Sequence, residues 1–372
     1  MTLKELPIGS QPVARIIEEN LVYADKTAYI LKLIKSKGQH FFLSRPRRFG
    51  KSLLINTLKE LFSGRPELFK GLLIDQEGYD FPKRAVVSLS LSTNSQTSAI
   101  LERNLMVTLK KIAKAYKVSV PISSSAQYFG DLIVAVSEKT NSQVAVLIDE
   151  YDAPVTRNLA NEKVAEANAI ILHDFFAKLK DDAVLERVAF TLVTGITRFA
   201  LTSMDSGANH LNDISLAPEY DGICGFTIPE FDALFADRLE ETLKSLKNIG
   251  KFTKDAKLSD LRNEIFRWYN GYDWGGKNRV LNPFSILHFF NNKRFAKYWI
   301  ESGLLIHLTA LIKARPWDFI DLQLKSYLSE TIRKTELNKL QIAPVLFHSG
   351  YLTLDRPSES AELNQKTDNQ VE

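Results

Sequence analysis

The sequence predicts an α/β fold: a parallel sheet flanked by helices, followed by a mostly helical second domain. Three observations predict it. Short apolar runs at 40–43, 85–92, 144–148 and 188–193 show no helical period and read as strands covered on both faces. Segments of helical period separate them, as the crossovers of a parallel sheet require. Beyond residue 230 the β-branched runs stop, so the core is set at 1–230, the second domain at 231–354 and a tail at 355–372.

The elements follow in order. Tyr29, Ile30, Leu33 and Ile34 recur at helical spacing behind Asp25 and Thr27, both suited to capping. His40 to Leu43 is a short strand, a Ser-Arg-Pro loop follows, and Leu54, Leu58, Leu61 and Phe62 resume a helix. Residues 85–92 form the next strand, and Ile100 to Tyr116 an amphipathic helix. Val144 to Ile148 is a continuous aliphatic strand that ends abruptly in Asp149 and Glu150, and Val188 to Val193 repeats the pattern ahead of Thr194. In the second domain, 229–246 reads as a helix and 267–281 as an aromatic, glycine-rich turn region. Asn282-Pro283 then starts a helix with proline near its first turn. Residues 344–354 close the domain with one or two short strands, and the polar tail lacks aromatics and reads as disordered.

Composition bounds the function. The chain has 372 residues, 45% of them hydrophobic, and a net charge of +4, too small for its length to mark a nucleic-acid footprint without local clustering. A single cysteine, Cys224, excludes an intrachain disulfide and any multi-cysteine zinc site, and suits a reducing compartment. The first eleven residues hold no apolar signal-like core, and no run approaches the ~20 apolar residues of a spanning helix. The reading is cytoplasmic, with no membrane partner. The six histidines show no metal spacing.

The chemistry gathers at strand ends. Gly50-Lys51-Ser52 supplies the last three residues of the phosphate-binding pattern G-x-x-x-x-G-K-[ST], with Arg45 standing where the first glycine belongs. Between a buried strand and a helix, such a loop offers successive backbone N–H groups to an anion. Arg48, Phe49, Gly50, Lys51, Ser52 and Leu53 are the nucleotide-binding candidates: Lys51 for the β- and γ-phosphates, the Ser52 hydroxyl for Mg²⁺. Arg45, Arg47 and Arg48 either add charge beside the site or touch a partner. Asp149 lies about a hundred residues downstream at a strand end, where a Mg²⁺-holding carboxylate belongs in this chemistry. Glu150 is placed to polarise the attacking water. Thr194 and Thr197 can hydrogen-bond the γ-phosphate or that water. Arg198 reads equally as a charge-stabilising finger or an ordinary ion pair, and Asp152 as support for the site or a helix cap.

Together these stretches resemble the AAA-ATPase-like family of bacterial P-loop proteins. The likeness runs through YADKT (23–27), FFLSRPRRFGKSLL (41–54), LIDEYDAP (147–154), GITRF (195–199), GFTIPEF (225–231), NGYDW (270–274), LNPFSIL (281–287) and SGYLTL (349–354). In that family Arg-Pro-Arg-Arg is the ordinary loop sequence. The resemblance implies a RecA-like core of the additional-strand class, ATP with Mg²⁺, and a helical or winged-helix-like region after the core. It implies Lys51 and Ser52 on phosphate and metal, Asp149 and Glu150 as the metal and water carboxylates, and Tyr23 or Asp25 beside the adenine. Many relatives continue into a nuclease domain of the PD-(D/E)xK type. The tail here holds no apolar strand bearing Asp and Glu-x-Lys, so nuclease activity is not carried over.

The expected function is an ATPase, converting ATP and water to ADP and phosphate, whose nucleotide state controls the second domain or an effector. A nucleotide-gated protein-binding module with little turnover is the alternative, and a nucleic-acid processing or defence role a third. A protein effector, a homo-oligomer or nucleic acid are the partners these readings admit.

Overall fold

A computed structural model describes residues 3–9, 11–159, 161–197, 210–301 and 346–354. Arg198 with the rest of 198–209, the whole stretch 302–345 and the tail 355–372 lie outside the described residues. The first half runs α1 (Val13–Glu18), α2 (Thr27–Lys35), β1 (His40–Ser44), α3 (Lys51–Phe62), α4 (Leu73–Gln76), β2 (Ala85–Ser90), α5 (Ser98–Tyr116) and α6 (Ser125–Thr140). Then come β3 (Val144–Asp149), α7 (Ala153–Thr156), α8 (Glu162–Ala177), α9 (Asp182–Leu185), β4 (Val188–Gly195) and β5 (Asn212–Asp213).

The five strands form one parallel sheet in the order β2-β3-β4-β1-β5. β4 is thus inserted between β1 and β3, the arrangement of an additional-strand α/β nucleotide-binding core. Register keeps the strand ends level: Leu43 pairs with Thr194, Ser44 with Gly195, Ile148 with Val193 and Ser90 with Asp149. The residues after β1, β3 and β4 therefore share the carboxyl edge, where open α/β sheets place ligands.

Alternation along each strand divides the core. Phe42, Val87, Val144, Val146 and Ile148 face α5, α6 and α8, while Phe41, Leu43, Ala145, Leu147 and Leu192 face α2 and α3. Helix α3 buries Leu54, Leu58, Leu61 and Phe62 on that second side, each contributing about 1.5–3 kcal/mol.

The chain continues with β6 (Phe226–Thr227), α10 (Ile228–Asn248), α11 (Leu258–Tyr269), β7 (Tyr272–Asp273), β8 (Arg279–Leu281) and α12 (Pro283–Asn292). A capping box starts α10, with the Thr227 hydroxyl accepting from Glu230 N and the Glu230 carboxylate accepting from Thr227 N. The three helices pack Phe231, Phe235, Leu261, Ile265 and Phe289 together, and the small strands form an antiparallel sheet in the order β6-β8-β7. The short strands expected in 344–354 do not occur in its described part, where 346–348 form a helical turn. Strands arise instead inside the turn region, at β7 and β8. Two or three residues are too few to show a period of two, and these pair only because β6 supplies the central strand's other neighbour.

Candidate functional site

The loop from Arg45 to Gly50 joins β1 to α3. Gly50 takes φ +100°, a left-handed conformation that glycine adopts freely, and a Cβ there would meet nothing within 4 Å. Helix α3 therefore opens toward free space. Lys51, its first residue, is buried, and its ammonium donates to the carbonyl oxygens of Arg45 at 2.8 Å and Pro46 at 2.9 Å. Burial pushes this ammonium below the ordinary lysine range, and attraction to Asp149, then Asp152, opposes that push. Ser52 follows, exposed in the first turn.

Across β4, the end of β3 turns sharply. Asp149 is buried, and its Oδ1 accepts from the Thr194 hydroxyl at 2.7 Å and from Glu150 N at 3.0 Å. Glu150 adopts φ +51°, a left-handed backbone that costs a non-glycine residue about 1–2 kcal/mol. Its carboxylate lies 3.4 Å from the Arg157 guanidinium, which also donates to Ser92 O at 2.5 Å. Asp152 is buried and accepts from Ile196 N, Thr197 N and the Thr197 hydroxyl, at 3.1, 2.8 and 2.7 Å. Its burial raises the carboxyl above the usual range, and the Thr197 hydrogen bonds act against that. Gly195 makes this approach possible, because a Cβ there would stand 2.5 Å from the Tyr151 ring and 2.8 Å from Asp152 Oδ1.

A largely apolar cavity of about 100 Å³ opens beside Gly50. Tyr23, Leu53, Thr57, Cys224 and Leu287 line it, so four distant stretches of chain share its walls. Burial pushes the Tyr23 phenol well above its usual range, and a hydrogen bond to Thr57 works against that. At the rim the Lys26 ammonium meets both Glu230 oxygens at 2.6 Å and donates to Gly222 O at 2.8 Å.

The sequence candidates thus fall into groups. Gly50, Lys51, Ser52, Asp149, Glu150 and Thr194 stand along one edge, and Tyr23 and Leu53 line the adjoining cavity. Asp25 does not line it: one carboxylate oxygen accepts from Thr27 N and Oγ1 to start α2, and the other accepts from Leu73 N. The loop arginines part company. Arg45 is buried, donates to the carbonyls of Ser44, Ser215 and Tyr220, and lies 4.6 Å from the centre of the Trp274 ring system. Burial pulls its guanidinium down to about 10. Arg47 lies within electrostatic reach of Glu150 and Asp152, and Arg48 sits 5.0 Å over Phe284. Phe49 reaches back into the core against Tyr272 and Trp274, while also bordering the cavity.

Sequence reading missed Arg157, Lys26 and the cavity wall at Ile223–Phe226. Arg157 carries no motif signal. Lys26 and Gly225, however, fall inside two of the stretches already singled out, YADKT and GFTIPEF.

Among the described residues no group of three or more His, Cys, Asp or Glu side chains is arranged to hold a metal ion, and no helix is long and apolar enough to cross a membrane. The donor set at this edge suits Mg²⁺, which takes hard oxygen ligands, one or two from carboxylates and the rest from substrate phosphates and water.

A family model described as "AAA-ATPase_like: Predicted AAA-ATPase" matches residues 7–205. A curated protein of Azotobacter chroococcum mcd 1, named "Uncharacterized protein in vnfD 5'region", is 34% identical over 357 residues, 95% of this chain and 65% of that relative. The chain therefore spans about two thirds of the length of the curated relative it matches.

Proposed function

The chain belongs to the AAA-ATPase-like family, and on that premise we propose that it binds ATP with Mg²⁺ and hydrolyses it to ADP and phosphate. Lys51 carries this reading, because its buried ammonium, at the start of α3 and on the carboxyl edge of the sheet, is within electrostatic reach of Asp149. In the reading, the amides after Gly50 and the Lys51 ammonium receive the β- and γ-phosphates, and the Lys51 side chain leaves the loop carbonyls to do so. The Ser52 hydroxyl and the Asp149 carboxylate hold the metal, with Thr194 fixing the orientation of Asp149. Mg²⁺ would supply charge neutralisation across the phosphate oxygens. Glu150 aligns and deprotonates the attacking water. The base occupies the cavity between Tyr23 and Leu287. Nucleotide state then acts on the C-terminal region, and through it on a protein effector or a second copy of the chain.

A second reading, ATP as a gating ligand with little turnover, draws on Lys51 resting on its own loop and Glu150 resting beside Arg157. One experiment separates the readings. Lys51→Ala is expected to abolish Mg·ATP binding by calorimetry, while Glu150→Gln keeps ATP bound and stops phosphate release. Equal nucleotide affinity in wild type and Lys51→Ala would refute the site; wild-type turnover no faster than Glu150→Gln would favour the gating module.

A further inference from the structure

The four downstream stretches that accompany the phosphate loop in the sequence converge on that loop. Phe49 O accepts from Gly225 N at 3.1 Å. Tyr272 and Trp274 meet the Phe49 ring at centroid distances of 4.7 and 5.9 Å, both edge-to-face. Phe284 lies 5.0 Å beneath the Arg48 guanidinium. Gly350 passes so close to Pro46 that a Cβ on it would stand 3.0 Å from the proline ring. Arg45, Pro46, Arg48 and Phe49, four of the five residues ahead of Gly50, thus touch described chain from the far side of residue 213.

Arg45 shows what this convergence does. The ordinary pattern has glycine at this position, which makes the turn without outside help. An arginine cannot do the same by backbone freedom. Its guanidinium is buried, which is costly unless its N–H groups find acceptors. Three carbonyls accept from its terminal nitrogens, two of them from Ser215 and Tyr220, and the Trp274 face covers the guanidinium, while Nε has no hydrogen-bond partner among the described residues. Where the loop leaves β1 is therefore fixed by residues outside the strand and helix that it connects.

We propose that Trp274 is a positioning residue for the phosphate loop: by carrying Arg45 on its face and Phe49 at its edge, it holds residues 45–50 in the shape that receives a β-phosphate. The inference rests on the reading of this loop as a triphosphate site, and it adds the regulator of that site. Coupling is reciprocal, so anything that shifts the Tyr272–Trp274 segment changes nucleotide affinity, and nucleotide shifts that segment by the same free energy.

Titration of the full chain with Mg·ATP, Mg·ADP and AMP tests this. Trp274→Leu is expected to weaken ATP and ADP by about tenfold or more and to leave AMP, which lacks the β-phosphate, unchanged. Trp274→Phe, which retains a ring for Arg45 and Phe49, stays within about threefold of wild type. Phe284→Ala removes the platform of exposed Arg48 at a half-buried site; it weakens ATP by about threefold with AMP again unchanged, and decides the matter should Trp274→Leu fail to fold. Wild-type ATP affinity in Trp274→Leu overturns the positioning role alone, as does an equal loss for all three nucleotides, or no effect of Phe284→Ala where Trp274→Leu does not fold. A wild-type chain that binds none of the three overturns this inference and the triphosphate reading together.

Discussion

Thr194 is fully buried, and the direction of its hydroxyl decides how Asp149 presents itself. Its place after an apolar strand is legible in the sequence, but a hydroxyl's partner is not: the bond goes to Asp149 Oδ1, at the end of the neighbouring strand. Thr194→Val keeps the volume and deletes the donor. Stability should fall by about 1–2 kcal/mol in urea titration, and the Mg²⁺ concentration needed for half-maximal turnover should rise. Unchanged Mg²⁺ dependence would disconnect Thr194 from the metal site proposed at Asp149. Gly195 poses a simpler problem, because Tyr151 and Asp152 fill the space a side chain would need. Gly195→Ala should lower stability by about 1–3 kcal/mol, seen as a depressed melting temperature, since both neighbours are buried and cannot give way. Arg45 is the residue whose chemistry misleads most. A charge next to a phosphate pattern reads as a phosphate ligand, and only the tertiary position of Trp274 shows it serving the loop from behind.

At the scale of elements, β1 to β4 are legible because each is a run of five to eight mostly apolar residues between polar turns. β5 to β8 are not, since strands of two or three residues exist through their partners and leave no pattern of their own. The beginning of β1 carries a feature that periodicity does not show. His40 opens the strand with its Nδ1 2.9 Å from the Thr191 hydroxyl, and the His210 ring stands edge-on to it with centroids 5.4 Å apart. Burial, with His40 and Lys180 adding like charge, holds His210 down to about 4, and burial lowers His40 as well. The sign follows directly: between the unfolded value near 6.5 and the folded value near 4, the unfolded chain takes up a proton that the folded chain refuses. Stability is therefore whole above pH 6.5 and drains as pH falls through that window. His210→Phe should flatten the decline of the urea midpoint between pH 7 and pH 5; an unaltered slope would place the acid sensitivity elsewhere.

For the whole molecule, the change of pattern near residue 230 is real in the sequence, yet the apolar clusters do not respect it. Trp274, Val280 and Phe347 belong to the same cluster as Phe41, Leu43 and Phe49 on the α3 side of the sheet. Val22, ahead of the first strand, is buried among Phe226, Phe231 and the helices α10 to α12. Lys26 and Glu230 close the same seam with an ion pair that is mostly shielded from water. Cutting the chain at 230 would uncover Val22, Phe49 and the Arg45 guanidinium at once, and leave Glu230, the counter-charge of Lys26, at a chain end stripped of the rest of its helix. A shared core of this kind unfolds as one unit. The full chain should thus melt in a single transition that Mg·ATP moves upward as a whole, by linkage to the folded state. The 1–230 fragment should be aggregation-prone and unable to bind ATP, as read by size-exclusion chromatography and calorimetry. A monomeric 1–230 fragment with full-length affinity would show that the sheet and its loop are self-sufficient. The downstream stretches would then be passengers on the nucleotide site, and their contacts with residues 45–49 would carry no signal in either direction.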